Sequence, residues 1–519
     1  MRTALAVLTL ALLAAAAPVA AEFPYPANPA PCSGPSLPPQ CIPATDWSRY
    51  LFLPAANPPQ RPNDFQNDWK LTSDTTGEPE IDDNPQELFG VKGASVDLAW
   101  QVTTGRPDVV IAVLDSGIRW GERFDDLVNK FYLNRRELPV PEGSTNSTDP
   151  HDRNGDGIFN VRDYLANAGF AHDSRVTDQN GTGAIDPEDL IFLFSDGVDD
   201  DDNGYVDDIS GWDFWEDDNN ALDEPRYSHG TGESEDSAAE ANNGMGNVGS
   251  CPNCMLLEVR VGDSFVTPVD KFAQGVIFAT DSGARVVQEA LGTLNNSDFA
   301  QQAVDYAYHR GVIVMASAAD EESAHNNWPA NYSHTFEINS VVKFFESGGI
   351  VQSPRSYLYL NGCTNYNGHI AVAVPSSSCS SEATGKSSGM AGLVYSAALN
   401  AIDRGELEPY PGGQDPNMPL SAEEVKQIFT RTADDVNFDA RDNPQLPQNY
   451  HTEVPLPGVQ QTSTRFPSIE GFDQYFGYGR INADAAVRRV AAGQIPPEAA
   501  IDSPRWHAYL SPRQGSIAV

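Results

Sequence analysis

Three short stretches carry side chains able to turn a hydroxyl into a nucleophile. Leu114-Asp115-Ser116-Gly117 closes an apolar run, Ser228-His229-Gly230-Thr231-Gly232 opens a helix-like segment, and Ala383 to Gly392 contains Gly385-Lys386-Ser387-Ser388-Gly389. A serine needs a base to attack at neutral pH, and a histidine needs a carboxylate to fix its tautomer and stabilise its cation. Asp115, His229 and Ser387 supply these groups in the order acid, base, nucleophile, which is one of the known chain orders of such a triad. Ser388 is adjacent, and register with Gly385 favours Ser387 over it. Plainer roles exist for each: Asp115 as a turn residue closing a strand, His229 as a helix N-cap. Gly385-Lys386-Ser387 also hints at a phosphate loop, but Ser380 stands where that loop needs glycine. The nucleophile elbow of α/β-hydrolases fits the local pattern, yet that fold places its acid and histidine after the serine.

The elements that must hold these residues are legible in the apolar pattern. Val109 to Leu114 has no internal polar residue and reads as a strand buried on both faces, with Asp115 at the carboxyl end, where open parallel sheets place their chemistry. A short helix is expected at Ala94 to Trp100. Beyond His229 the pattern alternates: strand Met255 to Val261, helix Lys271 to Thr280, strand Arg285 to Leu291, helix Asp298 to His309 and strand Val312 to Ser317. A strand at His369 to Val374 and a helix from about Ser388 to Ile402 follow. This alternation predicts an α/β fold: a doubly wound, mostly parallel sheet with helices on both faces. Ser421-Ala422-Glu423-Glu424 is a capping box opening a helix with Val425, Ile428 and Phe429 on one face, and Gly477 to Val487 leads into a last helix.

Asp149 to Glu224 interrupts that domain with 22 Asp and Glu against Arg153, Arg162 and Arg175. So dense a set of oxygen ligands needs water or a cation. Asp152, Asn154, Asp156, the Ile158 carbonyl, Asn160 and Asp163 hold a calcium-loop register, with Gly157 at the turn. The register recurs 26 residues later as Asp178, Asn180, Thr182, Gly183, the Ala184 carbonyl, Asp186 and Asp189, and starts a third time as Asp199, Asp201, Asn203, Gly204, the Tyr205 carbonyl and Asp208. Helix-like segments, Val161 to Ala168 and Pro187 to Phe194, follow the first two loops, as in paired EF-hand-like units. One match alone is equally a solvated acidic loop; three in tandem make structural Ca2+ the expectation.

At the scale of the whole chain, the net charge of -41 excludes a binder of nucleic-acid phosphates and argues against an anionic membrane partner. Residues 1–21, with Arg2, an apolar core and small residues at Val19 and Ala21, read as a signal peptide, and no later apolar run is long enough to span a bilayer. Export makes disulfides the expectation for three locally spaced pairs, Cys32 with Cys41, Cys251 with Cys254 and Cys363 with Cys379, with zinc as the lesser alternative for Cys251-Pro252-Asn253-Cys254. Residues 22–85, rich in Pro, Asn and Asp, are an arm or linker; 86–494 form the main domain, with its insertion at 149–224; 495–519 are a C-terminal segment that could begin a further domain.

On Val113-Leu114-Asp115-Ser116-Gly117, His229-Gly230-Thr231 and Gly385-Lys386-Ser387, the chain resembles the subtilisin-like serine peptidases. The resemblance implies a secreted, calcium-stabilised endopeptidase acting as a monomer on proteins or peptides through an acyl-enzyme. Ser387 is then the nucleophile, His229 the general base and Asp115 its orienter. Ala290-Leu291-Gly292 falls where that family pairs a strand with extended substrate, and Asp207 to Phe214 resembles a segment that many secreted members carry before their histidine. There are departures. Asp320, in Ala318-Ala319-Asp320, replaces the asparagine that donates to the oxyanion, and it can donate only when protonated. Such a donor points to work at low pH or to a raised Asp320 pKa. The usual apolar helix after the histidine is replaced by Glu233, Glu235, Asp236 and Glu240, with Lys386 as a partner for Glu233. Counting from Ser387, Ala391 and Gly392 replace the family's proline and second histidine. These departures support a second reading, a pseudopeptidase that keeps the scaffold and calcium loops for binding.

Overall fold

The computed structural model describes residues 93–121, 124–166, 171–241, 243, 245–293, 295–342, 359–411, 413, 418–436 and 468–498, together with 62, 64, 65, 70, 71, 503, 513 and four two-residue strands. The expected signal segment, the pair Cys32 and Cys41 and most of 22–85 lie outside the described residues. Among the described residues no helix is long and apolar enough to cross a membrane.

The expected apolar run is strand β1 (Val110–Asp115). The sheet is completed by β2 (Gly211–Asp213), β3 (Met255–Arg260), β4 (Val286–Glu289), β5 (Ile313–Ser317) and β6 (Thr335–Val342). After one short pair, β7 (Glu346–Ser347) with β8 (Ile350–Val351), come β9 (Tyr359–Leu360) and β10 (Ile370–Pro375). The order across the sheet is β10-β6-β5-β4-β1-β3-β2, all parallel, with β9 antiparallel on β6. β11 (Val454–Pro455) and β12 (Thr462–Ser463) pair separately. Strands β2 and β6 carry no expectation from sequence, because β2 is three residues long and β6 mixes Thr335, Glu337, Asn339 and Ser340 into a buried strand.

Alternation along β1 feeds two cores. Ile111 and Val113 join the cluster containing Met390, Leu393 and Val487; Val110, Ala112 and Leu114 join the one containing Phe272, Val276 and Val304. Helices cover both faces accordingly: α5 (Val269–Asp281) and α6 (Asp298–His309) on the second, α4 (His229–Ala238), α7 (Ser380–Asp403) and α9 (Ala483–Ala491) on the first. The shorter α1 (Val96–Ala99), α2 (Phe124–Leu127) and α3 (Pro187–Phe194) and the peripheral α8 (Ala422–Thr432) complete the set, α8 with the capping box Ser421/Glu424 in place. Each fully buried Leu or Val here stabilises by about 1.5–3 kcal/mol, so Leu114→Ala would cost about 2–5 kcal/mol.

Two expectations need correction. Among the described residues, the segment after the first acidic loop is helical only as a 3-10 turn, Val161–Asp163, closed by a box in which Asn160 and Asp163 cap each other. Helix α7 begins at Ser380, eight residues before the expected start, behind Cys379 as N-cap and with Glu382 in its first turn, where a carboxylate suits the helix dipole. Cys379 is bonded to Cys363, and Cys251 to Cys254, so the second pair offers no thiolates to zinc.

Candidate active site

Because the strands are parallel, Asp115 of β1, Glu289 of β4 and Ser317 of β5 end along one edge of the sheet, and β4 separates β1 from β5. The chain reaches that edge again at the first turn of α4. There the Asp223 carboxylate accepts the backbone N–H of Tyr227 at 3.1 Å and that of Ser228, and Ser228 adopts φ +59°. Gly230 lets α4 approach β1: a Cβ there would stand 2.4 Å from the Gly117 carbonyl oxygen and 3.1 Å from Asp115 Cβ. The result is His229 with Nδ1 2.9 and 3.0 Å from the two Asp115 carboxylate oxygens. The buried Asp115 also accepts the N–H of Ser116 at 2.7 Å. A carboxylate at Nδ1 selects the tautomer that leaves Nε2 able to take a proton.

Ser387 is not brought to this histidine. It lies two turns into α7, fully buried, and its hydroxyl donates to the carbonyls of its own helix, Ala383 at 2.8 Å and Thr384 at 3.1 Å. Ser388 is buried as well. The side of α7 that meets α4 is marked by its glycines. A Cβ on Gly385 would stand 2.8 Å from Glu233 Oε2, and one on Gly389 would stand 2.4 Å from the Ser237 carbonyl. The helices therefore run parallel there, Glu233 against Gly385 and Ser237 against Gly389. One turn back on each stand His229 and Ser381. Ser381 is half-buried in the first turn of α7, and its hydroxyl reaches the Ala290 carbonyl at 3.3 Å. Sequence reasoning missed it because the expected helix started beyond it.

Asp320 lies at the same edge, just after β5. Its Oδ1 accepts the backbone N–H of Ser380 at 2.9 Å and the Ser380 hydroxyl at 2.5 Å. The hydroxyl of Ser380 also bonds Ser317 at 2.6 Å. Ala290, Leu291 and Gly292 continue β4, and Gly292 pairs with Phe265 and Thr267 through backbone hydrogen bonds. Tyr227 stacks on His229 with centroids 5.5 Å apart.

The acids in and around α4 find several fates. Lys386, expected to face Glu233, meets Asp236 at 2.9 Å and lies 3.7 Å from Glu382. Glu240 accepts from Asn129 at 2.9 Å. Glu233 is buried, and burial pushes its carboxyl well above the ordinary range although His229 acts against this. Burial would raise Glu382 too, but Lys386 and Lys70 hold it at about 2. For His229, burial opposes the charge, while Asp115 foremost, then Glu233 and Asp320, push its pKa up to about 10.

The acidic insertion folds as three tight loops. Asp152 accepts the N–H groups of Gly155, Asp156 and Gly157, and Asp163 those of Asn154 and Asn160. Asp178 and Asp189 repeat this with Gly181 and Gly183, and with Gln179, Asn180 and Asp186. The Thr182 hydroxyl donates to the Ala184 carbonyl at 3.0 Å, so two expected ligands face each other. In the third loop Asp199 accepts from Asn203 and Gly204, and Asn203 from Tyr205. Asp208 accepts from the side chains of Asn134 and Asn203, while Glu137, from outside the loop, is the carboxylate that joins Asp199 and Asp201. Burial pushes Asp156 and Asp186 up to about 6 and Asp208 up to about 7. The donors are carboxylates, amide oxygens and carbonyls, a hard-oxygen set that fits Ca2+.

Residues 106–479 match the model of the subtilase family, peptidase S8. Thermitase of Thermoactinomyces vulgaris is 33% identical over 203 residues, covering 37% of this chain and 69% of that protein. The thermophilic serine proteinase of Bacillus sp. strain AK1 is 33% identical over 137 residues, covering 26% and 34%. Subtilisin Savinase of Lederbergia lenta is 30% identical over 154 residues, covering 26% and 57%. The chain thus spans about a third to two thirds of the length of these relatives. With the parallel sheet, the Asp115–His229 pair at its carboxyl edge and a family match over most of the length, the chain belongs to the subtilase family of serine peptidases.

Proposed function

We propose that this protein is a secreted, monomeric, calcium-stabilised serine endopeptidase in which Ser381, in place of Ser387, is the nucleophile. The observation that carries this reading is the parallel register of α4 and α7, which sets Ser381 one turn above Gly385 just as His229 stands one turn above Glu233. His229, oriented by Asp115, takes the Ser381 proton as the hydroxyl attacks a peptide carbonyl, and returns it to the leaving amine; water then releases the acyl group. The N–H of Ser381, in the first turn of a helix where amides have no intrahelical acceptor, faces the developing oxyanion together with the Asp320 side chain, which donates only in its acid form. Ala290, Leu291 and Gly292 hold the substrate backbone, which takes over the bonds that Gly292 makes to Phe265 and Thr267 in the free protein. The three acidic loops bind Ca2+ and hold the insertion against the sheet.

Fluorophosphonate labelling from pH 4 to 10 tests the assignment. Labelling is expected to survive Ser387→Ala and Ser380→Ala and to vanish in Ser381→Ala, with peptide turnover falling at least about 10^4-fold. Labelling lost in Ser387→Ala but kept in Ser381→Ala would reverse the choice. A second reading, a pseudopeptidase, is favoured by the company His229 keeps: Asp115, Glu233 and Asp320 all favour its charged form, in which it cannot act as a base. No labelling of folded wild-type protein at any pH would establish that reading instead.

A further inference from the structure

We infer that Glu137 completes a Ca2+ site with Asp199 and Asp201, tying the third acidic loop to the segment that precedes the insertion. This deepens the calcium reading above, which drew its ligands from within the loop. A carboxylate oxygen from each of the three residues lies within 4.8 Å of the others. Two oxygens bound to a common calcium at about 2.4 Å are at most about 4.8 Å apart, so the three groups fall within the span of a single ion. The second observation is Glu137 itself. The residue is 5% exposed; Oε1 accepts the N–H groups of Asp200 and Asp201 at 2.9 and 3.2 Å, and buried Oε2 has no hydrogen-bond partner. A carboxylate oxygen left without a donor is costly in the interior, and two further carboxylates beside it raise that cost unless a cation is shared.

The surroundings hold the three groups in place. The backbone N–H of Asn134 bonds the Ile209 carbonyl, and its side chain donates to Asp201 and Asp208 at 3.1 and 2.8 Å. Nearby Arg135 is turned away, to Asp149 and the Phe159 ring. Among the described residues none of the three carboxylates has a lysine or arginine at ion-pair distance. Calcium is the counter-charge of matching chemistry.

The test uses the full chain, stripped with chelator and titrated by calorimetry with Ca2+ and, separately, Mg2+. Glu137→Gln keeps the shape and an oxygen for the two N–H donors. It is expected to lose one bound Ca2+ per chain or to weaken one site at least tenfold, and Asp199→Asn should lose the same ion. Asp178→Asn, in the second loop, should leave this site intact. Wild-type protein that binds calcium with Glu137→Gln unchanged in number and affinity overturns this site alone. Wild-type protein that binds none overturns the calcium reading as a whole. Preference for Mg2+ at the Glu137-dependent site overturns the assignment to calcium. If Glu137→Gln does not fold, Asp199→Asn against wild type decides in the same way.

Discussion

At the scale of single residues, the chemistry turns on how much negative charge surrounds His229. A general base must be neutral before it acts, so raising its pKa moves the rising limb of the rate profile toward alkali. Asp115 cannot be removed without losing orientation, but Glu233 and Asp320 can be neutralised one at a time. Glu233→Gln is expected to lower the His229 pKa and bring the limb of kcat/KM toward acid by about one pH unit, without changing which serine is labelled. An unmoved limb would show that Glu233 is already protonated over that range. Asp320→Asn works twice: it removes a carboxylate that raises His229, and its amide donates where the acid must be protonated to do so, while its carbonyl keeps the Ser380 N–H. Turnover at pH 7 is expected to rise, by up to about 10^2-fold, the worth of one oxyanion donor. An unchanged profile would remove Asp320 from the site's chemistry. Asp115 and His229 were legible in the sequence because each sits in a local motif at the end of an obvious element. Ser381 was not, being one of seven serines between Ser376 and Ser388, and only the meeting of two helices distinguishes them.

Among the elements, the α4–α7 pair is decisive. Apart from β2, β6 and the short β9, the sheet was legible because its strands are apolar and alternate with amphipathic helices, and α6 has the bounds that its pattern predicts. The start of α7 was not, because its first two turns are built from Ser, Thr, Gly and charged residues that mimic a loop. Those residues are there for contact. Gly389 leaves room for the Ser237 carbonyl and the Ser250 side chain, at 2.4 and 2.7 Å from where a Cβ would stand. Gly389→Ala would push the helices apart and is expected to cost about 1–3 kcal/mol, read as a lower midpoint in urea with an unchanged slope. Since the two helices present His229 and Ser381, turnover should fall more steeply than stability. A variant as stable as wild type would mean that the helices do not pack so closely.

For the whole molecule, the question is how a chain of net charge -41 tolerates carboxyl groups in its interior. Glu258, in β3 beside Asp115, accepts a hydrogen bond from Ser234, but burial pushes its pKa up to about 8. Glu289 is likewise pushed well above the ordinary range by burial. A carboxyl whose folded pKa exceeds its unfolded value of about 4.5 keeps its proton in the fold after the unfolded chain has lost it. Stability from such a group is full below about pH 4.5 and is lost as pH rises to about 8, at up to about 1.4 kcal/mol per pH unit for each group. Calcium works in the opposite sense, since its ligands bind only when deprotonated, and a ligand at 1,000 times its Kd adds about 4 kcal/mol per site. In chelator, the melting temperature is therefore expected to fall between pH 4.5 and 8, and Glu258→Gln should flatten that fall. Adding calcium should raise it little at pH 4.5 and most at pH 8. A melting temperature that climbs with pH in chelator would sink the account of the buried carboxyls. A calcium shift of equal size at both ends would mean that the acidic loops do not hold the ion through their carboxylates.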